Sequence, residues 1–264
     1  MKIKYLFMLL CIPVLGIGQQ PEKNIRYNYN LEFNQFTNPP VTKNVDMVLD
    51  VLDDQSYFSD KKFVEFQNEV ELAENSKNNS EYVKLLKQAK SKYNKKNYLV
   101  INSVGNENVT YERFKNNKFK LVEQKKDIIW NIEPTKFKWK NYEVKQANAD
   151  IDGRNWTVLF TTDINQQSGP HKFNNLPGFV VKAWDKNKNF VFEYIGSEKI
   201  TSPNTYLAEP NDYIEMSLHE KKLLKELYYP DLANKKNHYS RATNEKIDTI
   251  ENSIDLSFIE IIEN

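Results

Sequence analysis

A mainly β protein, an antiparallel meander that curls into a sheet, sandwich or open barrel, is the fold class this chain predicts. Three observations carry that expectation. Stretch after stretch alternates apolar and polar residues with period 2, as a half-buried strand does. Short clusters of Asn, Asp, Gly and Pro separate these stretches, which is the turn chemistry antiparallel strands need. The 264 residues include 15 Tyr and 15 Phe against only 7 Gly, and aromatic side chains suit pleated, half-buried surfaces.

The elements follow in chain order. Over 25–36, Tyr27, Tyr29, Leu31 and Phe33 share one face and Asn28, Asn30, Glu32 and Asn34 the other, and Asn38-Pro39-Pro40 ends the strand. Val45, Met47, Leu49 and Val51 form a second strand over 45–52, and Ser56-Tyr57-Phe58 is expected to extend it past a bulge. The period then changes: Phe63, Phe66, Val70 and Ala73, and after a polar spacer Tyr82, Leu85, Leu86, Ala89 and Tyr93, recur at helical spacing. They predict two short amphipathic helices as an insertion over about 60–95.

Period 2 returns over 98–104, 109–114 and 118–124, with Asn106-Glu107-Asn108 and Asn116-Asn117 as turns. Residues 127–132 read as a strand stopped by Pro134, and 142–149 and 154–162 as a hairpin closed by Asp152-Gly153. A second hairpin joins 179–184 to 190–195. Ser217 and Glu220 have the spacing of a capping box, which starts a C-terminal helix over about 217–229, ended by Pro230. Ile254, Leu256 and Phe258 alternate within 247–262 and predict a last strand.

Residues 1–18 are expected to be a leader: Lys2 and Lys4 precede an apolar run from Tyr5 to Val14, and Gly16-Ile17-Gly18 supplies small residues at a cleavage point. The run is too short for a relaxed membrane span, which needs about 20 apolar residues. Cleavage after Gly18 removes Cys11, the single Cys of the chain, and leaves 19–264 as one β-rich domain. That predicts an exported protein, periplasmic, outer-membrane-associated or secreted, held together by its core rather than by disulfides. The formal charge of +1 gives no ground for a nucleic-acid partner.

No motif for a reactive centre stands out. Asn148, Asp150 and Asp152-Gly153 resemble the first half of a calcium loop, but Leu159 occupies the position of its closing Glu. His171, His219 and His238 lack partners at zinc-site spacings, and Ser168 near His171 is weak evidence for a triad. Glu32, Asp46, Asp50, Glu112 and Glu193 fall on expected strands, where two could meet as an acid/base pair. Trp130, Trp139, Trp156 and Trp184 are expected in the core or at its rim. No cofactor or metal is expected.

The sharpest local signal is Gly169-Pro170-His171-Lys172-Phe173 followed by Leu176-Pro177-Gly178-Phe179-Val180. Gly169, Pro170, Leu176, Pro177 and Gly178 are read as a structural turn, with Pro177 setting φ and Gly178 supplying positive φ. With Trp130 and Ile132, Tyr142 and Ala147, Gly153-Arg154 and Trp156, and Phe160-Thr161-Thr162, this stretch resembles the hallmark of the GLPGLI family of exported bacterial proteins over residues 128–196. The chain departs from that pattern at Asn175, Phe179, Val180 and Val144. Either the turn does not need positive φ at Asn175, or Asn adopts it there.

The resemblance implies an exported β-rich domain similar to the N-terminal domain of some peptide:N-glycanases, with no known catalytic role for its motif. The expected function is therefore a non-enzymatic binding or accessory protein of the cell envelope, whose partner is an envelope or outer-membrane protein, a peptide or a glycan. The alternative is a hydrolase directed at glycans or peptides, or the accessory domain of one.

Overall fold

The structure is a computed structural model that describes residues 24–35, 41–52, 55–76, 78–92, 98–114, 117–200, 213–221 and 223. The expected leader, most of the expected C-terminal helix, the strand over 247–262 and His238 lie outside them. The described residues form β1 (Ile25–Gln35), β2 (Val41–Val51), β3 (Gln55–Asp60), α1 (Lys61–Glu74), α2 (Asn79–Lys92), β4 (Tyr98–Val104), β5 (Glu107–Phe114) and β6 (Asn117–Gln124). They continue with β7 (Asn131–Trp139), β8 (Tyr142–Ile151), β9 (Arg154–Thr161), β10 (Phe179–Asp185), β11 (Phe190–Lys199) and the short β12 (Ile214–Glu215).

All twelve strands join one sheet in the order β12-β6-β5-β4-β3-β2-β1-β11-β10-β9-β8-β7. Every pairing is antiparallel except that of β12 with β6. From β1 at the centre the chain meanders out to β6, and it then jumps to the far edge at β7. From there it meanders back until β11 pairs with β1.

That jump dictates the curl. In a flat sheet β6 and β7 would stand ten strand spacings apart, about 48 Å at ~4.8 Å each. The link from Gln124 to Asn131 spans at most ~25 Å when fully extended. The sheet must therefore fold its two wings toward each other, and aromatic contacts record it. Phe58 on β3 meets Phe192 on β11 with ring centroids 6.0 Å apart, although β2 and β1 lie between those strands.

The concave face holds the main core, including Tyr27, Tyr29, Leu31, Leu49, Phe58, Trp156, Phe179 and Phe192. Tyr29 is fully buried, and its hydroxyl donates to the Val180 carbonyl at 2.7 Å. The opposite face is covered in part by α1. Asp60 caps that helix by accepting from the Lys62 and Phe63 amides at 2.8 and 3.4 Å, and Phe63 and Val64 pack on Val48 and Val100. A helix start is stabilised by such a cap because its first amides lack intrahelical partners. α2 lies against α1, tied by Lys92 to Glu69 at 2.6 Å.

Two expectations need correction. Gln55–Asp60 is a separate strand antiparallel to β2, reached by a reversal in which the Leu52 amide donates to the Gln55 carbonyl at 2.9 Å. The stretch 125–130 is an irregular crossing, and the strand begins at Asn131 and runs through Pro134. Pro134 is tolerated because β7 is an edge strand, where a missing N–H leaves no ladder bond unmade. The β7–β8 register is interrupted between Ile132 and Lys136, around that residue. At the C-terminal end, Ser217 and Glu220 form the reciprocal cap, with Ser217 N to Glu220 Oε2 at 2.6 Å and Glu220 N to Ser217 Oγ at 3.2 Å.

Candidate functional site

Between β9 and β10 lies the longest described connection, residues 162–178, whose flanking residues Thr161 and Phe179 pair directly. Loops of this length without secondary structure are uncommon, and compact ones with closed ends are frequently functional. This loop folds inward. Gly169, Pro170, His171, Phe173, Leu176 and Gly178 are all buried. Phe173 stands at the middle of an aromatic cluster, with ring centroids 4.9 Å from Trp156, 6.0 Å from His171, and 6.2 Å from both Trp130 and Phe192.

The turn is built differently from the sequence expectation. Positive φ falls on His171 (57°) and Asn175 (60°), whereas Gly178 does not adopt it. Gly178 is instead a site of close approach: a Cβ there would lie 2.4 Å from the Thr161 carbonyl oxygen and 3.1 Å from Phe160 Cδ2. Gly169 is crowded likewise, by Val180 Cγ2 at 2.8 Å. Asn175 takes the left-handed region that Asn tolerates better than other side-chain-bearing residues. Pro177 is exposed and Leu176 is buried in the core.

The loop is strapped to the end of β6 and to the crossing segment. Lys172 pairs with Glu123 at 2.5 Å, both largely buried; Trp130 Nε1 donates to the Asn174 carbonyl at 2.8 Å; Asn175 Nδ2 donates to Asp127 Oδ1 at 3.1 Å. Between this loop and the ends of β2, β3 and β4 lies a recess of about 300 Å³. Its floor is apolar, from Leu49, Val51, Leu52, Phe58 and Phe173. Its polar wall carries Gln55, Ser56, Ser103, Gln166, Gln167, Ser168 and Asn174.

Three oxygens in that wall, Gln166 Oε1, Ser168 Oγ and Asn174 Oδ1, are buried and take no hydrogen bond from the protein. Such groups cost about 1–3 kcal/mol each when left so. Lys125, Lys172 and His171 also line the recess, and Lys125 donates to the Gly105 carbonyl at 2.7 Å. Burial of the Lys125 ammonium lowers its pKa from the ordinary lysine value.

Among the described lining residues none is a carboxylate. The five strand carboxylates do not assemble a pair across the concave face. Glu32, Asp46, Asp50 and Glu193 alternate with the core residues of β1, β2 and β11, and so point to the opposite face. Asp50 is fully buried there, gripped by Arg26 at 2.7 and 2.6 Å. Burial pushes its carboxyl up in spite of the guanidinium. Burial also acts to raise Glu193, but hydrogen bonds from Lys140 and Lys182 outweigh it and hold that carboxyl below its usual value. Glu112 is buried beside Lys221 at 3.2 Å.

Asp152-Gly153 makes a two-residue hairpin turn with φ of 52° and 79°, as the right-handed twist of paired strands favours. Asn148 and Asp150 accept cross-strand bonds from Thr157 and Asn155 at 2.7 and 3.0 Å. Among the described residues no group of three or more His, Cys, Asp or Glu is arranged to hold a metal ion. His219 is exposed. Trp156 is core, while Trp130, Trp139 and Trp184 flank it half-buried. Gln166, Asn174 and Lys125 were not legible as site residues. The signal that points to Gln166 is the aperiodic, amide-rich run Asn165-Gln166-Gln167-Ser168 between two strands.

No family model matches this chain, and no curated protein matches it. Two crystal forms of PNGF-II, a peptide:N-glycanase, are similar to it at 16% identity and a TM-score of 0.49. The matches cover 77% and 76% of this chain and 33% and 32% of those chains. The chain thus spans about a third of their length, and a likeness at this level carries no conclusion about activity. Among the described residues no helix is long and apolar enough to cross a membrane.

Proposed function

We propose that this chain is an exported, non-enzymatic binding protein of the cell envelope that takes its ligand in the recess beneath loop 162–178. One observation carries the reading: amides and hydroxyls, together with Lys125, Lys172 and His171, stand over an apolar floor, and none of the described lining residues is a carboxylate. Binding sites combine such apolar surface with a few convergent polar groups. Hydrolysis by an acid/base pair needs two carboxylates flanking the reacting bond, and the strand carboxylates point elsewhere or are committed to Lys and Arg. The resemblance of 169–180 to the GLPGLI hallmark supports export and an envelope setting. On this reading residues 1–18 are the leader and 19–264 form one domain whose motif residues are structural.

The test is binding of envelope-derived glycans and peptides, with product release followed in the same samples. Binding without turnover, abolished by Gln167→Trp, which fills the recess from its exposed rim, is the expected result. Turnover of a bound glycan or peptide overturns the non-enzymatic reading in favour of a hydrolase. N-terminal sequencing of the exported chain is expected to begin at Gln19.

A further inference from the structure

Resting on the reading of the recess as a binding site, we propose that its occupant is a neutral, hydroxyl-rich ring, one sugar residue in size, bound by Gln166, Ser168 and Asn174. Chemistry selects this class. A carboxamide presents both donor and acceptor, and a hydroxyl presents both on one atom. A row of sugar hydroxyls does the same, so Gln166, Ser168, Asn174 and the neighbouring Gln55, Ser56 and Ser103 can match hydroxyls in either sense. The oxygens of the first three are the wall's unspent hydrogen-bonding capacity, since the protein supplies none of them with a donor. They are sealed in this conformation, and rotation of the three side chains is what a ligand would have to induce. The apolar floor of Leu49, Val51, Leu52 and Phe58 meets the C–H face that such a ring also carries.

Charge argues against the other classes. A cationic ligand would meet the ammonium groups of Lys125 and Lys172 and, among the described lining residues, no carboxylate. An anion would meet Lys172, whose charge is engaged by Glu123 at 2.5 Å, and Lys125, which spends one of its three N–H donors on the Gly105 carbonyl at 2.7 Å and whose charged form burial disfavours; the phosphate probe below decides this class. Size argues against an oligomer lying within the recess. About 300 Å³ stands at the lower end of small-molecule sites, which run from roughly 300 to 1,000 Å³.

The experiment is a titration of the ¹⁵N-labelled full chain, followed by amide shifts, with four probes: methyl glucoside, methyl N-acetylglucosaminide, triglycine and inorganic phosphate. At least one glycoside is expected to shift amides within 49–58 and 162–178. Gln166→Ala and Asn174→Ala are each expected to weaken that glycoside about 3- to 10-fold, and Thr162→Ala, exposed and outside the lining, to leave it unchanged. Thermal melts of the variants separate loss of binding from loss of fold. Shifts in these two stretches with triglycine or phosphate but neither glycoside overturn the sugar and leave the recess as a site. Shifts with none of the probes overturn the sugar, and with the envelope extracts of the preceding test also inert, the binding reading falls too. Glycoside binding unaltered by both alanine variants overturns the assignment of these side chains.

Discussion

Gly178 carries no side chain because the Thr161 carbonyl leaves no room for one, with an added Cβ only 2.4 Å from its oxygen. The obstacle is backbone in the β9–β10 pairing, so it cannot swing aside as a side-chain tip would. Gly178→Ala is therefore expected to lose about 3 kcal/mol, the upper end of the usual cost of overpacking, read by urea denaturation. At Asn175 the demand is on φ instead; Asn175→Val should cost about 1–2 kcal/mol. Glu193 makes a pH prediction of different kind. Its folded carboxyl titrates below the ordinary 4.5 because two lysines bond it. The stabilisation is present above about pH 4.5 and is lost as pH falls through the lower, folded value. Denaturation midpoints of the native chain and Glu193→Gln should differ at pH 7 and converge toward pH 3; a constant gap would refute it.

At the scale of elements, the outermost strand β7 poses a problem that its sequence manages. A free edge offers unpaired amides and carbonyls to another chain. Here Pro134 removes one donor, the register with β8 breaks between Ile132 and Lys136, and Lys136 and Lys138 stand exposed. Replacing Pro134, Lys136 and Lys138 together by Val is expected to cause concentration-dependent association beyond that of the native chain, visible by sedimentation velocity. The buried Arg154–Asp185 pair, 2.7 Å apart, fastens β9 to the end of β10. Asp185 also receives the Phe190 amide at 2.9 Å, which sets the start of β11.

For the whole molecule, the pairing of β1 with β11 joins wings that are distant in sequence, from Ile25 with Lys199 to Phe33 with Phe190. The loop closure behind such contacts makes folding slow and mutually dependent. A chain ending at Gln124 would leave the core side of β1, with Tyr27, Tyr29 and Leu31, lacking Phe179, Phe192 and Tyr194. It is expected to show no cooperative unfolding transition by circular dichroism and to aggregate, whereas the full chain melts cooperatively. An independently folded fragment would show that each wing carries its own core.

Local pattern sufficed for the strands and helices. Alternation over Tyr27 to Phe33 and helical spacing from Phe63 to Ala73 are short-range consequences of which side chains must leave water, so a few residues decide them. The same holds for the Asp152-Gly153 turn and the Ser217–Glu220 cap. Pro134 misled because its effect depends on whether the strand is central or at an edge, which no local window contains. Gly178 misled because what excludes its side chain is the carbonyl of Thr161 on the neighbouring strand. The recess was hidden for the same reason, since Leu49, Ser103, Lys125 and Gln166 meet only after a link too short to span a flat sheet has drawn its two wings together. Sequence determined which residues must be buried and with what period; the closure of the sheet decided which of them became neighbours.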